Sequence, residues 1–126
     1  MFGAYWRHLI RTRLFGMDID RSARIAKSAL IDRTYPKGVH IEADVVIDEE
    51  AVVLTHDMVR GLYQHTRIGR GATLGPRAII LPGITVGCGA NVVAGSLVNR
   101  DVPDGATVMG NPAKLVQDAA IMGAES

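Results

Sequence analysis

Four histidines and one cysteine are the side chains in this sequence best suited to move a proton or carry an acyl group near neutral pH: His8, His40, His56, His65 and Cys88. The ordinary pKa of imidazole lies close to neutrality, which makes histidine the natural general base for abstracting a hydroxyl proton. His56 stands in VLTHDMVRG, and His65 follows nine residues later in YQHTRIG. Asp57, directly after His56, is a candidate to orient that ring, although neighbours in sequence seldom face one another. Cys88 lies in VGCG with no histidine near it in sequence, and reads as an outward thiol rather than a nucleophile.

What positions these groups is a repeat. From Ile68 an aliphatic residue returns at every sixth position, through Leu74, Ile80, Val86, Val92 and Val98. The same phase holds in two earlier trios, Ile19, Ile25, Ile31 and Ile41, Ile47, Val53. A small residue stands four positions after most of them, as at Ala23, Ala29, Ala51, Ala72, Ala78, Ala90 and Ser96. A period of six belongs to neither a helix nor a simple strand, whose periods are 3.6 and 2. It fits a short strand followed by a tight corner, with three such units closing a triangular coil whose aliphatic residues point inward. Each coil buries its apolar side only against its neighbours, so several must stack. The sequence therefore predicts an all-β parallel β-helix of four to five coils over residues 19–110, with Val108 opening the last. The period breaks twice, between Ile31 and Ile41 and between Val53 and Ile68. The second break predicts a protruding loop over 54–67 that carries His56 and His65, tied to a rigid scaffold at both ends. His40, just before inward-facing Ile41, is expected to point out from a coil corner, and His8 falls outside the repeat.

With 14 basic and 13 acidic residues the formal charge is +1, which offers no bulk electrostatic case for a nucleic-acid partner. The chain is 48% apolar and 21% charged, a globular composition, and its length suits one domain. A single cysteine excludes an intramolecular disulfide and cysteine-rich zinc sites. No apolar run reaches the ~20 residues that span a bilayer, and Arg7, His8, Arg11 and Arg13 break up the N-terminus as a secretory signal. The expected location is the cytoplasm.

The hexad pattern together with ILPGITVGCGANVVAGSLVNRDVPDGATVMGNPAKLV, residues 80–116, resembles the hexapeptide-repeat acyltransferases, and most of all the small sugar and xenobiotic O-acetyltransferases. The resemblance runs from about Ile19 to Val116. It implies a left-handed coil, acetyl-CoA as co-substrate, a homotrimer with sites between subunits, and direct attack by an acceptor hydroxyl, a saccharide in the first instance. The THD stretch resembles the loop-histidine region of those enzymes and favours His56 over His65 as the base. The AGS segment resembles the stretch that lines the pantetheine groove, which implies cofactor contacts at Ala94 and Gly95. The threonine–lysine pair of relatives corresponds to Asn99 and Arg100, their later basic residue to Lys114, and a small cofactor-contacting residue to Pro76. Where relatives often carry Trp-Ile-Gly, this chain has Thr73-Leu74-Gly75.

Two other functions compete on the same scaffold. A γ-class carbonic anhydrase needs three histidines around zinc, two of them five apart within the repeat; His56 and His65 are nine apart and outside it, so no metal is expected. A scaffold protein would keep the coil without chemistry, against which the histidine loop and the GNPAK segment both argue. IGRGATLG is not a phosphate loop, because the hexad runs straight through it. Six acidic residues between Glu42 and Asp57 suggest a solvated face or a surface for polyhydroxyl acceptors.

At the ends, Phe2, Tyr5, Trp6, Leu9 and Ile10 recur at helical spacing among Arg7, Arg11 and Arg13. This predicts a helical cap over 1–17 that covers the first coil, with contact to an anionic membrane surface through residues 2–15 as the lesser alternative. After Asn111, a good N-cap, with Pro112 at the first helical position, a C-terminal helix is expected over 111–122, followed by a frayed Gly123–Ser126.

Overall fold

The computed structural model describes residues 2–116. Each hexad of the four complete coils forms one strand of two or three residues whose last residue faces inward. The first coil comprises β1 (Asp18–Ile19), β2 (Arg24–Ile25) and β3 (Leu30–Ile31); the second β4 (Val39–Ile41), β5 (Val46–Ile47) and β6 (Val52–Val53). A hairpin, β7 (His56–Asp57) and β8 (Leu62–Tyr63), precedes the third coil, β9 (Thr66–Ile68), β10 (Thr73–Leu74) and β11 (Ile79–Ile80). The fourth is β12 (Thr85–Val86), β13 (Asn91–Val92) and β14 (Leu97–Val98). Strands stack in parallel on three faces, in the orders β1-β4-β9-β12, β2-β5-β10-β13 and β3-β6-β11-β14. A fifth coil begins with a bridge from Val86 to Val102 and with β15 (Thr107–Gly110), which extends the second face.

The inward aliphatic residues build the core. Ile41, Ile47, Val53, Ile68, Leu74, Ile80 and Val86 are at most 2% exposed; of the residues in the period only Ile25 is left partly covered. Fully burying such a side chain contributes roughly 1.5–3 kcal/mol, and with few aromatic residues this aliphatic column is the main source of stability. The small residues sit where coils turn, and at Gly69, Gly75 and Gly87 the next coil leaves no room for a side chain. A Cβ on Gly69 would come within 2.8 Å of the Val86 carbonyl oxygen and the Cys88 amide nitrogen of the next coil. Asp44 adopts a left-handed corner conformation (φ 59°) that glycine takes at the equivalent Gly71 and Gly89.

Register shows where the period was interrupted. Thr73 pairs with Asn91, eighteen residues on, the length of an uninterrupted coil. Ile19 pairs with Ile41, a step of 22, and Ile41 with Ile68, a step of 27. Both insertions fall after the third strand of a coil, so they emerge at the same edge of the prism, one above the other. The lower contains a 3-10 turn, Pro36–Gly38; the upper is the β7–β8 hairpin, which ends at His65 because Thr66 already belongs to β9.

Two expectations at the ends are corrected. Residues 113–116 are not helical: Ala113–Val116 forms β16, antiparallel to β15 with Gly110 opposite Ala113. A turn at Asn111-Pro112 brings the chain back so that β16 pairs along β15. The rest of the expected helix, 117–122, and the frayed end, 123–126, lie outside the described residues. At the N-terminus α1 (Phe2–Leu9) runs into a π-helical turn, Ile10–Leu14. The apolar face covers the first coil only in part: Phe15 packs against the core, and Leu9 and Ile10 line clefts with first-coil residues. Tyr5 and Trp6 are each 56% exposed, whereas Arg7 and Arg11 turn toward the body of the molecule.

Candidate active site

The edge that carries both insertions gathers Asp32 and Tyr35 from the lower one, and His56, Tyr63 and His65 from the upper. Asp32 follows inward-facing Ile31, whose register partner is Val53, so the carboxylate lies one coil away from the start of the hairpin. It is 4% exposed. One oxygen accepts the Thr34 amide at 2.9 Å; the other accepts the amides of Thr55 at 2.9 Å and His56 at 3.2 Å and binds the His56 ring through Nδ1. Burial pushes the Asp32 pKa up, but the hydrogen bonds from Thr55, Thr34 and His56 outweigh it and hold the carboxyl below its usual range. A carboxylate accepts only, so it fixes the proton of His56 on Nδ1 and leaves Nε2 as a lone pair. The ring is one-fifth exposed, and Nε2 has no hydrogen-bond partner among the described residues. This is the geometry of an oriented general base.

The residue expected as a possible partner does something else. Asp57 caps the hairpin turn, accepting the amides of Val59 and Arg60 and pairing with the Arg60 guanidinium at 2.8 Å. The hydrogen bonds from Arg60 lower its pKa.

His65 and His40 form a second group. His40 lies on a flat face within β4 rather than at a corner, opposite Asp18 in register, and its Nδ1 is 2.8 Å from the Asp18 carboxylate. Its Nε2 is 2.6 Å from His65 Nδ1, and His65 Nε2 is 3.4 Å from the Tyr35 hydroxyl. If Asp18 fixes the His40 tautomer, His65 donates to His40 and Tyr35 donates to His65, so both rings are committed within the protein. His56 is the histidine of this edge that keeps a free ring nitrogen. Sequence reasoning missed Asp32, Asp18 and Tyr35. The signal for Asp32 was present, since both interruptions follow the third aliphatic residue of a trio.

The residues expected to hold the co-substrate fall into two groups. Asn99, Arg100 and Lys114 line one cleft of about 500 Å³ with Pro112, Ala113 and Val108. Pro76, Ala94 and Gly95 lie together on a different edge, where consecutive corners stack and the Pro76 carbonyl accepts the Gly95 amide at 2.9 Å. Cys88 is exposed, and its amide donates to Asp104. The acidic residues from Glu42 to Asp57 are spread over several edges: Glu50 pairs with Arg77 at 2.9 Å, and Glu49 accepts the Ser28 hydroxyl.

No family-level sequence model matches the chain. Serine acetyltransferase 2 of Arabidopsis thaliana is 40% identical over 111 residues, which are 84% of this chain and 34% of that protein. A serine acetyltransferase of Buchnera aphidicola subsp. Schizaphis graminum is 35% identical over 118 residues, 90% of this chain and 45% of that one. The crystal structure of a maltose O-acetyltransferase from Clostridium difficile 630 superposes with a TM-score of 0.69 over 88% of this chain and 73% of its own, at 22% identity. In sequence and in fold the chain resembles the hexapeptide-repeat acyltransferases. Its fold is the left-handed β-helix of that family. The chain spans well under two thirds of the length of the curated relatives it matches.

Proposed function

We propose that the chain is an acetyl-CoA-dependent O-acetyltransferase in which His56 is the general base and Asp32 orients it. The observation that carries this reading is the His56 ring, pinned at Nδ1 by a buried carboxylate and open at Nε2. In that role Nε2 takes the proton of the acceptor hydroxyl as its oxygen attacks the thioester carbonyl. When the carbon–sulfur bond breaks, the imidazolium returns the proton to the leaving thiolate, so the products are an acetyl ester and free coenzyme A. Arg100 and Lys114 supply positive charge for the phosphates of coenzyme A, and the Pro76, Ala94 and Gly95 edge supplies backbone for its pantetheine arm.

For the acceptor, a hydroxyl-bearing amino acid such as serine is the first candidate, because the relatives at 35–40% identity are named as serine acetyltransferases. The saccharide expected from the sequence is the second, supported by the likeness to sugar O-acetyltransferases in the 80–116 segment. The test is an acceptor screen with acetyl-CoA that follows thiol release and includes L-serine and simple sugars. A Cys88→Ser background is needed, because the exposed thiol would add to the signal. Acetyl-CoA binding without release of thiol to any hydroxyl acceptor would overturn the reading.

A further inference from the structure

Arg7 of α1 and Arg11 of the π-helical turn that follows it meet a third arginine, Arg33, from the lower insertion. Arg7, Arg11 and Arg33 line one cleft of about 390 Å³ together with Phe15, Ile10 and Leu30. No carboxylate lines it, and none of the three guanidiniums forms an ion pair among the described residues. The Ser28 hydroxyl at its margin already donates to Glu49. Arg7 Nε is buried with no hydrogen-bond partner among the described residues, and the Arg33 guanidinium stands 5.7 Å from the centre of the Phe15 ring. Burial, then the like charges of Arg7 and Arg33, hold the Arg11 pKa below its ordinary value. Gathering three unpaired guanidiniums is unfavourable by both repulsion and desolvation.

We infer that the cleft between α1 and the first coil is a binding site for a phosphoryl group. A carboxylate offers two oxygens and one charge, which one or two guanidinium forks satisfy. A phosphate offers more oxygens and up to two charges, matching three converging forks. The site lies at the first coil, at the opposite end of the stack from Arg100 and Lys114. The phosphoryl group can belong to a soluble ligand or to a lipid headgroup. In the second case Trp6 and Leu14, 56% and 75% exposed, lie on the same segment to meet the acyl boundary.

The full chain reports on this directly, because Trp6 is its sole tryptophan and adjoins Arg7. Its fluorescence is titrated at physiological ionic strength with inorganic pyrophosphate, with vesicles of phosphatidylcholine alone, and with vesicles of equimolar phosphatidylcholine and phosphatidic acid. Saturable binding of pyrophosphate identifies a soluble ligand; binding of the phosphatidic acid vesicles alone identifies a lipid headgroup. In either case Arg33→Gln and Arg11→Gln should each weaken binding by about tenfold or more, the effect of one charge-assisted contact. Lys27→Gln removes the same charge from an exposed position outside the cleft and should change affinity little. Because Arg33 is exposed and outside the strands, its variant should retain the wild-type circular dichroism and melting temperature. Absence of binding to every probe, or equal weakening by Lys27→Gln and Arg33→Gln, would overturn the site.

Discussion

Asp32 and His56 are 24 residues apart in the chain, yet the carboxylate holds both the ring and the backbone amide of the histidine. Both contacts come from stacking. Asp32 leaves one coil at the edge where His56 leaves the next, so the stacking of the two coils brings the carboxylate to the histidine.

His56→Ala is expected to lower turnover by about 10²–10⁴, the usual share of general acid–base catalysis, with little change in acetyl-CoA affinity or melting temperature. His65→Ala should keep most of the turnover, because both nitrogens of that ring are committed to His40 and Tyr35. Steady-state kinetics of the two variants decide between them, and a reversal of the two effects would make His65 the base.

Asp32→Asn probes the acid through stability. The folded-state pKa of Asp32 lies below its unfolded value, so its contribution is complete above the unfolded pKa of about 3.9 and is lost as pH falls through the folded one. Wild type should therefore melt above the variant at neutral pH, and the gap should narrow below about pH 4. Melting curves of both proteins between neutral and acidic pH test this, and a gap independent of pH contradicts it.

Arg100→Ala and Lys114→Ala should each weaken acetyl-CoA binding, by about 1.5–3 kcal/mol if the contact is charge-assisted, and the loss should shrink at high salt. Calorimetry at two ionic strengths measures both. Unchanged affinity in both variants would remove the shared cleft from the coenzyme A site.

A homotrimer is the expected assembly, since the prism presents flat side faces and the family resemblance places sites between subunits. Light scattering should give a mass three times that of the chain. A stable monomer at micromolar concentration would refute the shared-site arrangement.

The fold was legible because the period of six appears in single residues: Ile68, Leu74 and Ile80 are each inward and fully buried, as their spacing required. His56 was legible because it stands where that period stops. Asp32 was missed because nothing in its own neighbourhood marks it; the signal lay in the common place of the two interruptions, each after the third aliphatic residue of a trio. The reversal at Asn111-Pro112 was hidden for another reason. An N-cap residue followed by proline is also a good turn, and only β15 lying ready to pair decides between them. On α1, spacing gave the amphipathic faces but not which one the first coil would cover.

The shared edge makes the site a matter of counting. A full coil of eighteen residues added or removed outside the 32–56 interval would leave both insertions above one another. One hexad removed between Ile41 and Val53 would instead advance the hairpin by one face of the triangle, carrying His56 a third of a turn from Asp32 while each remaining hexad still buried its aliphatic residue. Such a protein would keep its architecture and lose the contact between Asp32 and His56. The column can therefore change length by whole turns outside that interval, or by loops at an edge as at the steps of 22 and 27, whereas the loss of a single hexad between the two insertions moves them to different sides.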